Sequence, residues 1–233
     1  MSSHDVARRF LEMATPLVAD AMIRLGLPAK IAPSGIRPVV VGSKFAGPAS
    51  PVVLNGYADR VLEGIYRSDR GDVLVLDNKN RTDESCFGDL AAYEARSQGL
   101  VGVAIWGRHR DSAELQEIGI PVFSYGTYPL GLQRTFAPVE DPFARCQFDQ
   151  ACIERGEFVF ADDDGVLFVP KEHVESVIDT AEEIRSAEQA QVDKIRAGTT
   201  LREQLQFDRY QREKKNNPAL TLGEHVKKMG HHF

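Results

Sequence analysis

Gly71-Asp72-Val73-Leu74-Val75-Leu76 is the stretch on which the fold turns. A continuous apolar run behind a glycine is expected of a strand buried on both faces. C-terminal to it, Gly88 to Gln98 reads as a helix rich in small residues that closes at Gly99. A second buried strand follows from Leu100 to Ile105, then a turn at Trp106-Gly107, a helix from Asp111 to Glu117, and a short strand from Pro121 to Ser124. Strand, helix, strand, helix, strand in this order implies a parallel layer built from right-handed crossovers, an α/β fold.

N-terminal to the deciding stretch, Tyr57 to Tyr66 is helical by pattern, and Ile36 to Leu54 is β-rich with runs at 38–41 and 51–54. Thr15-Pro16 reads as an N-cap followed by proline at the first helical position, opening a helix to about Leu25 that Gly26 ends. Val6 to Met13 is a further short helix. Beyond the parallel layer, Phe158 to Ala161 and Val166 to Val169 flank the acidic turn Asp162-Asp163-Asp164-Gly165, a hairpin signature. A long helical pattern runs from Lys171 to about Ala197 and breaks at Gly198. The tail from Thr199 to Phe233 is too polar for a core of its own and is expected to pack on a neighbour or stay partly mobile. The expected organisation is therefore a core over residues 1–170, with its N-terminal helices, and a long helix with a polar tail over 171–233 packing on a neighbouring subunit.

A chain of 233 residues with 42% apolar and 27% charged residues is of ordinary globular composition. Its net charge of -6 argues against nucleic-acid binding, which needs a basic face. The polar start carries no apolar leader core, and no stretch approaches the ~18 apolar residues that span a bilayer. Cys86, Cys146 and Cys152 are too few and too scattered for a disulfide framework or a Cys-x-x-Cys zinc site. A cytoplasmic protein with reduced thiols, and with neither nucleic acid nor membrane as partner, is expected. His231-His232 resembles a tag remnant or mobile tail more than a ligand pair.

Three places can carry chemistry. Gly88-Asp89-Leu90-Ala91 opens a helix, and its free amides with the positive end of the dipole suit an anion; the plainer reading is that Asp89 caps the helix. Gly107-Arg108-His109-Arg110-Asp111 follows a buried strand, where ligands gather in α/β sheets. Asp111-Ser112-Ala113-Glu114 is also a capping-box pattern, so Asp111 has a structural reading of its own. Two carboxylates at adjacent helix starts offer hard oxygen ligands suited to Mg²⁺ or Mn²⁺. Third, Glu188 shares a helical face with Val174, Val177, Ile178, Ala181, Ile184, Val192 and Ile195; it pairs with Arg185 or serves a metal or proton. His109 is either a general acid–base or an ordinary neutral loop histidine. No phosphate-binding or dinucleotide glycine motif is present, and Ser124 lacks a nucleophile-elbow context.

Asp89, twenty residues, then Arg110-Asp111 resembles the Asp-x20-Arg-Asp signature of RraA-like proteins. Residues 71–77, Gly99-Leu100-Val101-Gly102, Ile120-Pro121-Val122-Phe123 and residues 161–170 support the resemblance, which covers roughly Thr15 to Gly198. It implies a swivelling β/β/α fold resembling phosphohistidine domains, with a C-terminal helical extension, assembled as trimers or hexamers with sites between subunits. It implies a class II aldolase acting on 4-hydroxy-2-oxo acids such as 4-hydroxy-4-methyl-2-oxoglutarate or 4-carboxy-4-hydroxy-2-oxoadipate, with oxaloacetate decarboxylase activity. Asp111 would be the direct ligand of Mg²⁺ or Mn²⁺, with Asp89 and a neighbouring subunit's Glu188 holding its waters. Arg110 and the amides of Gly88, Asp89, Leu90 and Ala91 would grip a pyruvyl unit, with His109 beside them. Metal and Arg110 would stabilise the enolate left when a C–C bond breaks.

The run Trp106-Gly107-Arg108-His109 departs from the small residues usual before Arg-Asp in such aldolases. The added bulk and charge suggest a more anionic or a sugar-acid substrate. The other readings are a related carbon–carbon enzyme on a sugar acid, and a non-catalytic regulator that binds ribonuclease E, which would not need the acidic pair. A menaquinone methyltransferase is not supported, because no glycine-rich S-adenosylmethionine loop follows a strand.

Overall fold

The computed structural model describes residues 2–137 and 139–229, so His231-His232 lies outside the described residues. The chain divides into two compact units, the first ending at Asp179 and the second starting at Thr180. The first unit opens with α1 (Ser3–Leu11) and α2 (Thr15–Arg24), followed by β1 (Lys30–Ile31), β2 (Arg37–Pro38), β3 (Phe45–Val53) and α3 (Asp59–Tyr66). The parallel layer follows as β4 (Val73–Asp77), α4 (Asp89–Gln98), β5 (Gly102–Trp106), α5 (Ser112–Ile118) and β6 (Val122–Ser124). A hairpin of β7 (Arg145–Phe148) and β8 (Ala151–Glu154) precedes a second, β9 (Phe158–Asp162) and β10 (Gly165–Val169). After a 3-10 turn at Lys171–His173, α6 (Val174–Arg196) carries the chain into the second unit, which holds α7 (Leu201–Gln204), α8 (Phe207–Asn216) and α9 (Leu222–Lys228).

Among the described residues, eight strands form one mixed sheet in the order β1-β10-β9-β3-β4-β5-β6-β2. The expected parallel layer is β3-β4-β5-β6, with Leu74 opposite Val103 and Val103 opposite Val122. β3 joins this layer to the antiparallel hairpin: Phe45 to Pro48 pair with β9, and Ala49 to Val53 pair with β4. Much of each half is therefore laddered on one side, a setting in which a strand tolerates Pro48 and Pro51. β4 is buried throughout. Its strict alternation sends Leu74 and Leu76 to the helical side with Val61, Ile65, Ala92 and Leu115, and Val73 and Val75 to the other side with Phe45, Phe123, Phe148 and Phe168. The hydrophobic effect thus clamps the sheet from both faces, which fixes the strand ends where the site is built.

Several expectations shift. Thr15 is not the N-cap of α2; that position is Ala14, and Thr15 instead donates its hydroxyl to the Asp162 carboxylate at 2.6 Å. The apolar run at 38–41 contributes only Arg37–Pro38 as strand, whereas β3 begins six residues before the run at 51–54. The β7–β8 hairpin was not anticipated, although Arg145-Cys146-Gln147-Phe148 alternates exposed and buried along β7. The tail, expected to be too polar for a core of its own, forms three helices with buried apolar residues among them. Thr200 and Thr221 each close a capping box with Glu203 and Glu224, and Leu205, Tyr210, Leu220 and Val226 are buried. His225 donates from Nε2 to the Leu205 carbonyl at 3.0 Å, under the Tyr210 ring at 5.5 Å. No helix among the described residues is long and apolar enough to cross a membrane.

Candidate active site

The site is assembled where β4 and β5 hand over to α4 and α5. α4 starts after Gly88, which occupies the N-cap position without any side-chain cap. Asp89 is the first helical residue, not the cap, and its Oδ1 accepts the Leu90 amide at 2.7 Å. The helix closes at Gly99 in the left-handed conformation, as its sequence predicts.

Asp111 occupies the N-cap position of α5 but does not cap it. Its backbone is left-handed (φ 58°, ψ 45°), whereas a capping side chain needs an extended backbone. The capping-box expectation therefore fails, and the carboxylate swings toward α4. Oδ2 accepts the Asp89 amide at 3.3 Å and lies 3.3 Å from Nε of Arg110. Aspartate tolerates this region better than most side chains, and here the conformation sets the direction of the carboxylate. Gly88 makes room for it: a Cβ there would fall 2.2 Å from Asp111 Oδ2 and 3.2 Å from Arg110 Nε. Two amides of the α4 N-terminus, those of Asp89 and Leu90, are thus already engaged by the protein's own carboxylates. Both belong to the amides expected to grip substrate, and in this structure each bonds a carboxylate.

His109 is buried, and both ring nitrogens have partners: Nδ1 lies 2.6 Å from Ser124 Oγ and Nε2 3.0 Å from Ser112 Oγ. Burial lowers its pKa, so the ring is held neutral. His109, expected beside the substrate, does not line the cleft beside Arg110; its ring is buried between Ser124 and Ser112. The backbone at His109 bridges Phe87 on one side and Thr127 on the other, both parallel, extending the sheet's ladder through three loops. Trp106 and Arg108 also turn from the site. Trp106 packs against Tyr125 at 4.9 Å and Phe148 at 5.4 Å, the side of β5 shared with Ala104, and Arg108 donates to the Tyr125 carbonyl.

Arg110 remains half exposed beside a cleft of about 490 Å³. The cleft is bounded by α3, the start of α4, and a loop at 129–133 that sequence patterns did not single out. That loop is anchored at Ser85, whose amide and hydroxyl donate to the Leu130 carbonyl at 2.7 and 3.0 Å. Gly131 lets it approach Arg110, since a Cβ there would sit 3.0 Å from Nη1. Glu188 is exposed on the part of α6 that belongs to the second unit. Among the described residues no group of three or more His, Cys, Asp or Glu side chains gathers as a metal cluster. The hard-oxygen donors at the cleft are Asp89 and Asp111, a set that fits an ion bound through one or two carboxylates and waters, as Mg²⁺ is.

Residues 15–168 match the sequence model of one family, RraA-like: Aldolase/RraA. The chain belongs to the RraA-like family. Within it, DlpA of Legionella pneumophila is 27% identical over 194 residues, covering 79% of this chain but only 30% of DlpA. A Halalkalibacterium halodurans protein named "Putative 4-hydroxy-4-methyl-2-oxoglutarate aldolase" is 27% identical over 188 residues, covering 80% of this chain and 86% of that protein. The crystal structure of Streptomyces coelicolor RraAS2, described as an unusual member of the RNase ES inhibitor RraA family, superposes with a TM-score of 0.70 at 24% identity, over 79% of this chain and 94% of that one. The likeness to RraAS2 establishes the RraA fold, here extended by the C-terminal helices.

Proposed function

We propose that this RraA-like chain is a divalent-metal-dependent carbon–carbon lyase that cleaves 4-hydroxy-2-oxo acids to release pyruvate and decarboxylates oxaloacetate. One observation carries the reading: the left-handed backbone of Asp111 turns its carboxylate away from capping and toward the start of α4, beside Arg110. The names of relatives as aldolases support the same class.

Asp111 would hold the ion directly, with Asp89 supporting it through water. When bound, Mg²⁺ or Mn²⁺ supplies Lewis-acid polarisation of the 2-oxo acid. The Arg110 guanidinium binds the substrate carboxylate in a charge-assisted, two-pronged contact and favours the charge that develops on the pyruvyl oxygen. The positive end of α4, with the amides of Gly88 and Ala91, adds to that field. Asp89, with Oδ1 fixed by the Leu90 amide, keeps Oδ2 for the proton of the substrate hydroxyl. His109 acts indirectly, through its bond to Ser112, the first residue of α5 and the neighbour of Asp111. Glu188 completes the site from a neighbouring copy in a trimer or hexamer. Val192 and Ile195, one and two turns beyond Glu188 on its face of α6, remain exposed and fit such an interface.

The test is pyruvate release from oxaloacetate and from 4-hydroxy-4-methyl-2-oxoglutarate, with Mg²⁺ and with EDTA. Release that disappears with the chelator is expected. No release from either compound would defeat the lyase reading and favour a non-catalytic role in binding another protein.

A further inference from the structure

A second hollow lies where β4 and β5 begin, at the opposite end of the parallel layer from Asp89 and Asp111. It holds about 690 Å³ between α1, β3 and the turns that enter those two strands, a size usual for a small-molecule site. Its walls belong to the first compact unit and share no residue with the cleft beside Arg110. Ala7 of α1, Ala46 and Ala49 of β3, and Val101 give it small apolar surface.

The charged groups of this hollow are incompletely matched. Asp72 is only 8% exposed, yet one of its carboxylate oxygens alone is bonded: Oδ2 accepts the Asp69 amide at 3.0 Å. Among the described residues, Oδ1 of Asp72 and the carboxylate of Asp69 have no hydrogen-bond donor or ion-pair partner. Burial raises the pKa of Asp72 and the Asp69 charge adds to the rise, so a cation brought against this pair would be favoured. Arg155 offsets part of that cost from nearby, but it directs its own donors to the carbonyls of Phe143, at 3.1 Å, and Arg67, at 3.5 Å. Arg70 is the converse case. Its guanidinium lies against Gly99 in the wall, where a Cβ would fall 3.0 Å from Cζ and 3.1 Å from Nε. Among the described residues it forms no ion pair or hydrogen bond. A buried acid with a free oxygen and an unpaired guanidinium therefore line one hollow without reaching each other.

A ligand bearing both an ammonium and a carboxylate would match the two with charge-assisted hydrogen bonds, whereas a ligand with a single charge would leave one of them unmatched. We propose that this hollow is a second binding site and takes a branched aliphatic α-amino acid. The ammonium meets Asp72 and Asp69, the carboxylate meets Arg70, and the side chain covers Ala46, Ala49 and Val101. The proposal goes beyond the lyase reading and does not depend on it.

The test is calorimetric titration of the full chain with L-leucine and with two analogues of the same shape. One is 4-methylpentanoate, which lacks the ammonium; the other is 3-methylbutylamine, which lacks the carboxylate. Saturable binding of L-leucine is expected, with each analogue weaker by about tenfold or more. Arg70→Ala, at an exposed side chain, should weaken L-leucine by about tenfold or more and leave 3-methylbutylamine unchanged. Asp72→Asn should weaken L-leucine likewise and leave 4-methylpentanoate unchanged. That reciprocal pattern separates a lost contact from a damaged fold. No saturable binding of L-leucine, an analogue that binds as tightly, or wild-type affinity in Arg70→Ala would overturn the proposal. None of these outcomes bears on the lyase reading, which pyruvate release tests by itself.

Discussion

The carboxylate of Asp111 accepts the backbone N–H of Asp89 at 3.3 Å, so residues 22 positions apart share one hydrogen bond across two helix starts. That bond is the hinge of the site. It exists because Asp111 has a left-handed backbone and because Gly88 has no side chain. Each cause can be removed separately.

Asp111→Asn keeps a side chain that tolerates the left-handed region while removing the charge. The fold should persist, with circular dichroism unchanged, while pyruvate release from oxaloacetate drops by about two to three orders of magnitude. Activity within a few-fold of wild type would remove Asp111 from the chemistry.

Gly88→Ala tests position without touching charge. The backbone at Gly88 is extended (φ -148°), open to any residue, so the added methyl acts through its clash with Asp111 Oδ2 and its close approach to the Arg110 side chain. A displacement on the order of 1 Å should cost about a hundredfold in kcat/KM with a small change in Tm. A large fall in Tm with unchanged specific activity of the folded fraction would contradict this.

His109→Leu leaves the hydroxyls of Ser124 and Ser112 without their shared partner in the interior. The expected loss is about 1–3 kcal/mol of stability by urea unfolding. A fall in kcat larger than the rise in KM is expected as well, since the ring bonds Ser112, next to Asp111, and does not line the cleft. A variant as stable and active as wild type would deny the ring any supporting role.

Asp72 gives a pH dependence with a definite sign. Burial raises its folded pKa above the ordinary 3.8, so the folded state favours the protonated acid. This contribution to stability is present below pH 3.8 and is lost as pH rises through the elevated folded value. Asp72→Asn retains an acceptor for the Asp69 amide, which Asp72 accepts at 3.0 Å, and removes the titration. Its stability relative to wild type should therefore increase on going from acid to neutral pH. Unfolding curves whose difference is flat with pH would refute that.

The parts of this molecule that its sequence announced are those decided by neighbours in the chain. The buried run of β4, the stop of α4 at Gly99, and the hairpin that turns at Asp163-Asp164 each rest on local apolar pattern or turn chemistry. Asp89, Arg110 and Asp111 could be picked out by spacing; Asp89 and Arg110 line one cleft and Asp111 lies against both, while their chemical roles are left to experiment. Two things were hidden for physical reasons. A capping-box pattern says which bonds are available, not which backbone conformation a tertiary contact will select, so the turn of Asp111 was illegible. The 129–133 wall has no periodicity, and its place depends on a bond from Ser85 across 45 residues. Alternation along β5 did contain one missed signal: Trp106 shares a face with Ala104 and is opposite Ile105, which already directed it away from the cleft.

The bridge from Phe87 through His109 to Thr127 joins the three loops at the rim by main-chain bonds, with little dependence on which side chains they carry. A fold arranged this way separates two kinds of evolutionary change. Substitutions at Leu62, Leu90 or Leu130 alter the wall of the cleft while the rim stays fixed. The acidic pair, fastened to the rim, has no such freedom: a new reaction at this place would require rebuilding the rim, and a new substrate would not.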